Sequence, residues 1–154
     1  EVTEPPSDDE LDSLADHIDE WLAGQLEENP VVAAVDRNPD GPRSWFVRVT
    51  GEEKDVFSIR FRLRQRTLAY ETFVMPAPEE NHAQFFEHLL VRNRKLYGAA
   101  FCIGEEDAIF LQGQLDNRQI LLEDELDRVL GSLYVWVEQF FQPALRIGFA
   151  SKFG

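Results

Sequence analysis

Residues 57–66 read Phe-Ser-Ile-Arg-Phe-Arg-Leu-Arg-Gln-Arg, and their unbroken alternation constrains the fold more than any other stretch of the chain. Successive side chains of a strand point to opposite faces, so Phe57, Ile59, Phe61 and Leu63 share one side and Arg60, Arg62 and Arg64 the other. The stretch predicts a β-strand with one apolar and one cationic face. In a chain of formal net charge −14, that cationic face is either a solvated sheet surface or a docking strip for something acidic.

The strand has neighbours. Four strands are expected near residues 31–36, 44–50, 55–64 and 67–75, separated by Asn-Pro-Asp-Gly-Pro, by Gly-Glu-Glu and by a tight link at Gln65 and Arg66. A two-residue turn at that link sets Leu63 opposite Leu68, Phe61 opposite Tyr70, Ile59 opposite Thr72 and Phe57 opposite Val74. The same register sets Arg64 against Thr67, Arg62 against Ala69 and Arg60 against Glu71 on the other face. A slip of one residue would expose the Phe/Ile row, so the register is well specified.

Helices flank these strands. Ser7 and Glu10 have capping-box spacing, and Leu11, Leu14, Ile18, Trp21, Leu22 and Leu26 make an apolar stripe over residues 8–28, with Asp12, Asp16, Asp19 and Glu27 on the solvated remainder. Asn29 and Pro30 end it. A second helix is expected over residues 79–96, after Met75-Pro76-Ala77-Pro78 stops the fourth strand. It starts on Glu79 and Glu80, carries Phe85, Phe86, Leu89, Leu90 and Leu96, and stops at Gly98. Strands at 99–103 and 108–115 follow. A third helix runs from about Leu122, with Pro143 expected to kink or end it. The expected fold class is α+β, a largely antiparallel sheet flanked by helices in the order α-β-β-β-β-α-β-β-α. Residues 1–7 are read as a disordered arm and 8–154 as one domain, long enough to bury a core without disulfides or metal.

Charge is unevenly placed. Eleven of the 29 acidic side chains and none of the 15 basic ones lie in residues 1–28, so the remainder is close to neutral. The field of the whole molecule argues against nucleic acid and anionic membranes as partners and leaves room for a protein. No apolar stretch approaches the roughly 20 residues that span a bilayer, and no signal-like segment opens the sequence, so a cytoplasmic location is expected. The single cysteine, Cys102, sits in an apolar run and is expected to be a buried, inert thiol.

Catalytic and cofactor signatures are sparse. His17, His82 and His88 form no metal-binding pair, and no phosphate-cradling glycine loop or nucleophile elbow is present, so no catalytic residue, metal or cofactor is expected. The acidic clusters fall at turns and helix starts, where dipoles and solvent account for them. The arginine row remains. Side chains two apart on a strand are about 7 Å apart, and their repulsion is roughly 0.6 kcal/mol in water, tolerable without a ligand. Charges on an open sheet also discourage aggregation. Yet arginine rather than lysine suits bidentate capture of carboxylates, and Phe46 and Phe73 share the face, as aromatics do at protein interfaces. The candidate partner-binding set is Arg48, Arg60, Arg62, Arg64, Glu71, Phe46 and Phe73, with Glu71 orienting Arg60.

Three segments carry a family resemblance: WFVRVTGEEKDVFSIRF, QRTLAYETFVMPAPEENHAQFFEHLLVRNRKLYGAAFCIGEEDAIFLQGQL and LRIGFASKFG. Together they resemble the bacterial YbjN family of sensory-transduction-regulator-like proteins over about residues 30–150. The resemblance implies an antiparallel sheet flanked by helices, similar to type III secretion chaperones, and does not imply an enzyme. Proteins of that fold often dimerise, so the partner can be a second copy. The expected function is a non-enzymatic regulator or adaptor that binds a protein partner through the open sheet face. Two alternatives are a small-ligand binder or enzyme with a pocket between the second helix and the sheet near His82 and Glu71, and, last, a nucleic-acid binder stacking bases on Phe46 and Phe73.

Overall fold

Ser7 opens the first helix as a full capping box: its hydroxyl accepts the Glu10 amide, and the Glu10 carboxylate accepts the Ser7 amide, both at 3.2 Å. In the computed structural model, which describes residues 4–39, 41 and 43–153, this helix is α1 (Asp8–Glu28). It is followed by β1 (Val32–Arg37), β2 (Ser44–Thr50), β3 (Val56–Leu63), β4 (Thr67–Met75), α2 (His82–Asn93), β5 (Ala100–Ile103), β6 (Ile109–Asp116), α3 (Glu125–Gly148) and one last turn, α4 (Ala150–Phe153). Short 3-10 turns occupy Glu105–Asp107 and Asn117–Gln119. The fold is α+β, as the hydrophobic periods predict. Residues 1–3 of the expected arm, and Asp40 and Pro42 of the first turn, lie outside the described residues.

The six strands form one antiparallel sheet in the order β1-β2-β3-β4-β6-β5. The β3–β4 ladder pairs Leu63 with Leu68, Phe61 with Tyr70, Arg60 with Glu71 and Ile59 with Thr72, the register the alternation dictates. It stops short of the expected Phe57–Val74 pair because β4 bulges between Phe73 and Met75, which turns both Val74 and Met75 into the core. Phe57, Ile59, Phe61 and Leu63 are buried with Trp45, Val47, Val49, Leu68, Tyr70 and Leu111 beneath the helices.

Helix ends differ from the periodic reading for local reasons. Glu79 and Glu80 donate their amides to the Gly148 carbonyl, at 2.9 and 3.0 Å, instead of starting α2. Asn81, in the left-handed region at φ 53°, sets the later start. At the far end Asn93 is the last helical residue: its carboxamide donates to the Phe101 carbonyl at 3.1 Å and accepts the Phe101 amide at 2.7 Å. Pro143 does not end α3, which runs five residues further to Gly148. Burial of Ala144, Leu145 and Gly148 outweighs the one hydrogen bond that proline removes.

The acidic side of α1 does more than meet solvent. Asp12 accepts a hydrogen bond from Arg43 at 2.9 Å, and Asp19 accepts from Trp45 at 2.7 Å and from Arg37 at 2.8 Å, fastening α1 to the β1–β2 hairpin. Trp21 and Gln25 donate to Asp127 of α3 at 2.8 and 3.0 Å. Leu26, expected in the apolar stripe, is 46% exposed. Gly113 of β6 allows the loop after α2 to cross the sheet: an added Cβ would lie 1.9 Å from the Gly98 carbonyl oxygen, which accepts the Tyr70 hydroxyl at 2.6 Å. No helix among the described residues is long and apolar enough to cross a membrane.

Candidate functional site

The outward side of the sheet is built in rows. Cross-strand pairing lines up Asp36, Phe46, Arg60, Glu71, Gln112 and Ala100 in one row. The next row, toward the β3–β4 turn, is Ser44, Arg62, Ala69 and Gln114. On the other side lie Ala34, Arg48 and Ser58, and further across the sheet Phe73 faces Phe110 and Phe110 faces Cys102. Every residue singled out from the alternation therefore stands on this face or, for Arg64, at its end.

Arg60 is held without being saturated. Its guanidinium approaches the Glu71 carboxylate at 3.7 Å, close enough for attraction and too far for a hydrogen bond. The same group lies 6.0 Å from the Phe46 ring centre, at the limit of a cation–π contact. Its Nε is buried and has no hydrogen-bond partner among the described residues. Arg48, Arg62 and Arg64 make no side-chain hydrogen bond or ion pair among the described residues.

Small residues between the long ones shape the surface. Ala69 stands between Arg62 and Gln114, and Ala100 beside Gln112, so the sheet sinks there into a depression of about 300 Å³ walled by Arg60, Arg62, Arg64, Glu71, Gln112 and Gln114. Its turn end is pinned by Asn117, a buried side chain that donates to the Arg64 and Gln65 carbonyls at 2.9 and 2.8 Å. The Asn117 amide adds a bond to the Arg66 carbonyl at 2.9 Å.

The two expected aromatics separate. Phe46, 40% exposed, belongs with Arg60, whereas Phe73, 43% exposed, packs edge-to-face on Phe110 at 5.8 Å. Lys54 sits 5.0 Å from both the Phe73 and Phe141 rings and donates to the Val74 carbonyl at 2.6 Å. Burial pushes its pKa down. Above it, the Glu138 carboxylate of α3 accepts the amides of Glu52, Glu53 and Lys54, closing the β2–β3 turn. Cys102 is half-buried on the open face rather than enclosed, and burial, then the Glu71 charge, pushes its thiol pKa up.

The pocket expected between the second helix and the sheet does not assemble from its two named residues. Glu71 points to the open face, while α2 packs Phe85 and Leu89 into the core on the other side, with His82 exposed at its start. Strand parity separates them. His88 is partly buried, and burial followed by the nearby Arg92 charge lowers its pKa. Among the described residues no three His, Cys, Asp or Glu side chains come together in a way that could hold a metal ion.

Sequence reasoning placed Ala69 on this face, opposite Arg62, without giving it a role, and missed Gln112, Gln114 and Asn117. A signal for the glutamines was present, since Leu111, Gln112, Gly113, Gln114 and Leu115 alternate, less cleanly than β3 because Phe110 shares the glutamine side. Nothing local marks Asn117, whose bonds span 52 and 53 residues.

A family model described as "YbjN: Putative bacterial sensory transduction regulator" matches residues 15–145. An uncharacterized protein of Mycobacterium tuberculosis is 34% identical over 111 residues, covering 72% of this chain and 60% of the relative. An uncharacterized protein of Mycobacterium leprae is 32% identical over 114 residues, covering 74% and 61%. The chain thus spans about 60% of the length of the curated relatives it matches.

Proposed function

This chain belongs to the YbjN family, and from that membership we propose that it is a non-enzymatic module, a regulator or adaptor that binds a segment of another protein on the open face of its sheet. The observation that carries the reading is the group Arg60, Arg62 and Arg64 around the Ala69 depression, with hydrogen-bond donors that no group of the chain takes up among the described residues. Phe46 beside Arg60 adds the apolar contact that interface centres favour. The family description, a regulator of sensory transduction, agrees with a protein that works by contact. The chaperone-like fold implied by the sequence resemblance adds a second copy as an admissible partner. A negative total charge opposes nucleic acid on the same face.

Replacing Arg62 and Arg64 together by Glu tests the reading. Native pull-down with the altered chain is expected to lose partner capture while the melting temperature stays nearly unchanged, because neither side chain enters the core. Capture equal to that of the unaltered chain would overturn it.

A further inference from the structure

We propose that the occupant of the open face is an extended acidic segment of a partner protein, with one carboxylate seated over Ala69 between Arg60, Arg62 and Arg64. The inference rests on the docking reading above and specifies its chemistry. Charge complementarity comes first. The face carries Arg48, Arg60, Arg62 and Arg64 against Asp36, Glu71 and, at the turn end, Asp116, which Arg118 pairs, in a molecule of net charge −14. A local positive patch in a negative field admits a short acidic stretch and turns away long polyanions.

Donor accounting points the same way. A guanidinium is donor-only, and no carboxylate or carbonyl among the described residues accepts from Arg62 or Arg64. Glu71 stands too far from Arg60 to accept a hydrogen bond, and the buried Arg60 Nε has no acceptor. The amides of Gln112 and Gln114 make no hydrogen bond with other described residues either, and they border the same depression. An apolar or basic occupant would leave these donors covered and unpaired, whereas a carboxylate accepts from two guanidiniums at once. Shape agrees as well. The depression of about 300 Å³ has alanine beneath it and long side chains on both sides, and an extended segment repeats its side chains at about 7 Å, the spacing of successive outward arginines.

The test titrates the folded chain with a blocked peptide of alternating Glu and Ala, with an alternating Lys and Ala peptide as control, by calorimetry and backbone amide shifts. The Glu peptide is expected to shift Ala69, Gln112 and Gln114, to weaken with added salt, and to bind where the Lys peptide does not. Arg62→Gln with Arg64→Gln is expected to weaken it about tenfold or more. Ala69→Leu, which fills the depression and leaves every charge in place, is expected to weaken it as well. Glu71→Gln is expected to tighten it, by removing the carboxylate that competes for Arg60. Amide spectra of each variant establish that it is folded.

Binding that is equal in all variants, or shifts confined to another surface, would overturn the proposal. So would a concentration-dependent dimer dissolved by Arg62→Glu with Arg64→Glu, which would make the occupant a second copy. If those two substitutions abolish partner capture while the Glu peptide fails to bind the unaltered chain, the docking reading stands and the acidic occupant falls. If capture is also unaffected, both fall.

Discussion

On the α1 side of the sheet, Arg43 reaches Asp12 at 2.9 Å, and Arg37 and Trp45 converge on Asp19 at 2.8 and 2.7 Å. On the open face, Arg60 stops 3.7 Å from Glu71, and Arg62 and Arg64 reach no acceptor among the described residues. Where Arg37 and Arg43 fasten the β1–β2 hairpin to α1, the chain supplies a carboxylate at hydrogen-bonding distance. The backbone donors of the β2–β3 turn are treated alike, all three taken by Glu138. Arg92, Arg94 and Arg146, on or beside the helices, also make no side-chain hydrogen bond or ion pair among the described residues, so what sets the open face apart is that its unpaired arginines stand together around one depression, in a chain with 29 acids.

The largest expected effect sets adjacent residues of β3 against each other. Phe61 is fully buried and Arg62 exposed, so Phe61→Ala is expected to lose about 3–5 kcal/mol in a denaturant titration. Arg62→Ala should stay within about 0.5 kcal/mol. A loss at Arg62 comparable to that at Phe61 would abolish the distinction between the faces. Next in size is Asp19→Ala, which strips an acceptor from both Trp45 and Arg37 and is expected to cost about 1–2 kcal/mol. Glu71→Ala, which removes only a long ion pair, is expected to cost less than about 1 kcal/mol. Equal losses at the two acids would show that the open face is held as tightly as the α1 side.

The smallest effect is read in acid. Hydrogen bonds from Arg118 hold the Asp116 pKa at about 2, and the Ser151 amide and hydroxyl hold that of Glu80 below the usual carboxylate range. A carboxyl with a folded pKa below its unfolded one binds fewer protons when folded. Its stabilisation is therefore full above the unfolded value and drains as pH falls through the folded one. The melting temperature is expected to drop as pH falls below the ordinary carboxyl values of 4.5 and 3.8, and Asp116→Asn and Glu80→Gln should each flatten part of that slope. An acid slope unaltered in both variants would remove these pairs from the structural set.

Much of the fold was legible because its signals are periodic. Two-residue alternation in β2, β3 and β4 fixed which side chains face the helices, and a two-residue turn fixed the pairing of Arg60 with Glu71, as found. What escaped depends on partners distant along the chain. Asp19 reads as a solvated acid until Trp45 is brought against it, 26 residues away. Glu79 and Glu80 read as a helix start until the Gly148 carbonyl takes their amides. The same limit governs the candidate site. Its arginines are visible in one strand, whereas the depression needs Ala69, Gln112 and Gln114 from two others, and Phe73 left the arginine group because Phe110 and Lys54 claim it.

The Asn93 carboxamide, bonded to both backbone groups of Phe101, occupies the place a further strand would take beside β5. The outward backbone groups of Phe101, in an edge strand only four residues long, are thereby taken by the chain itself. Very short edge strands with part of their margin already bonded are among the ways natural sheets discourage pairing edge to edge. The broad cationic face thus lies open in a sheet whose β5 margin offers another chain little to pair with.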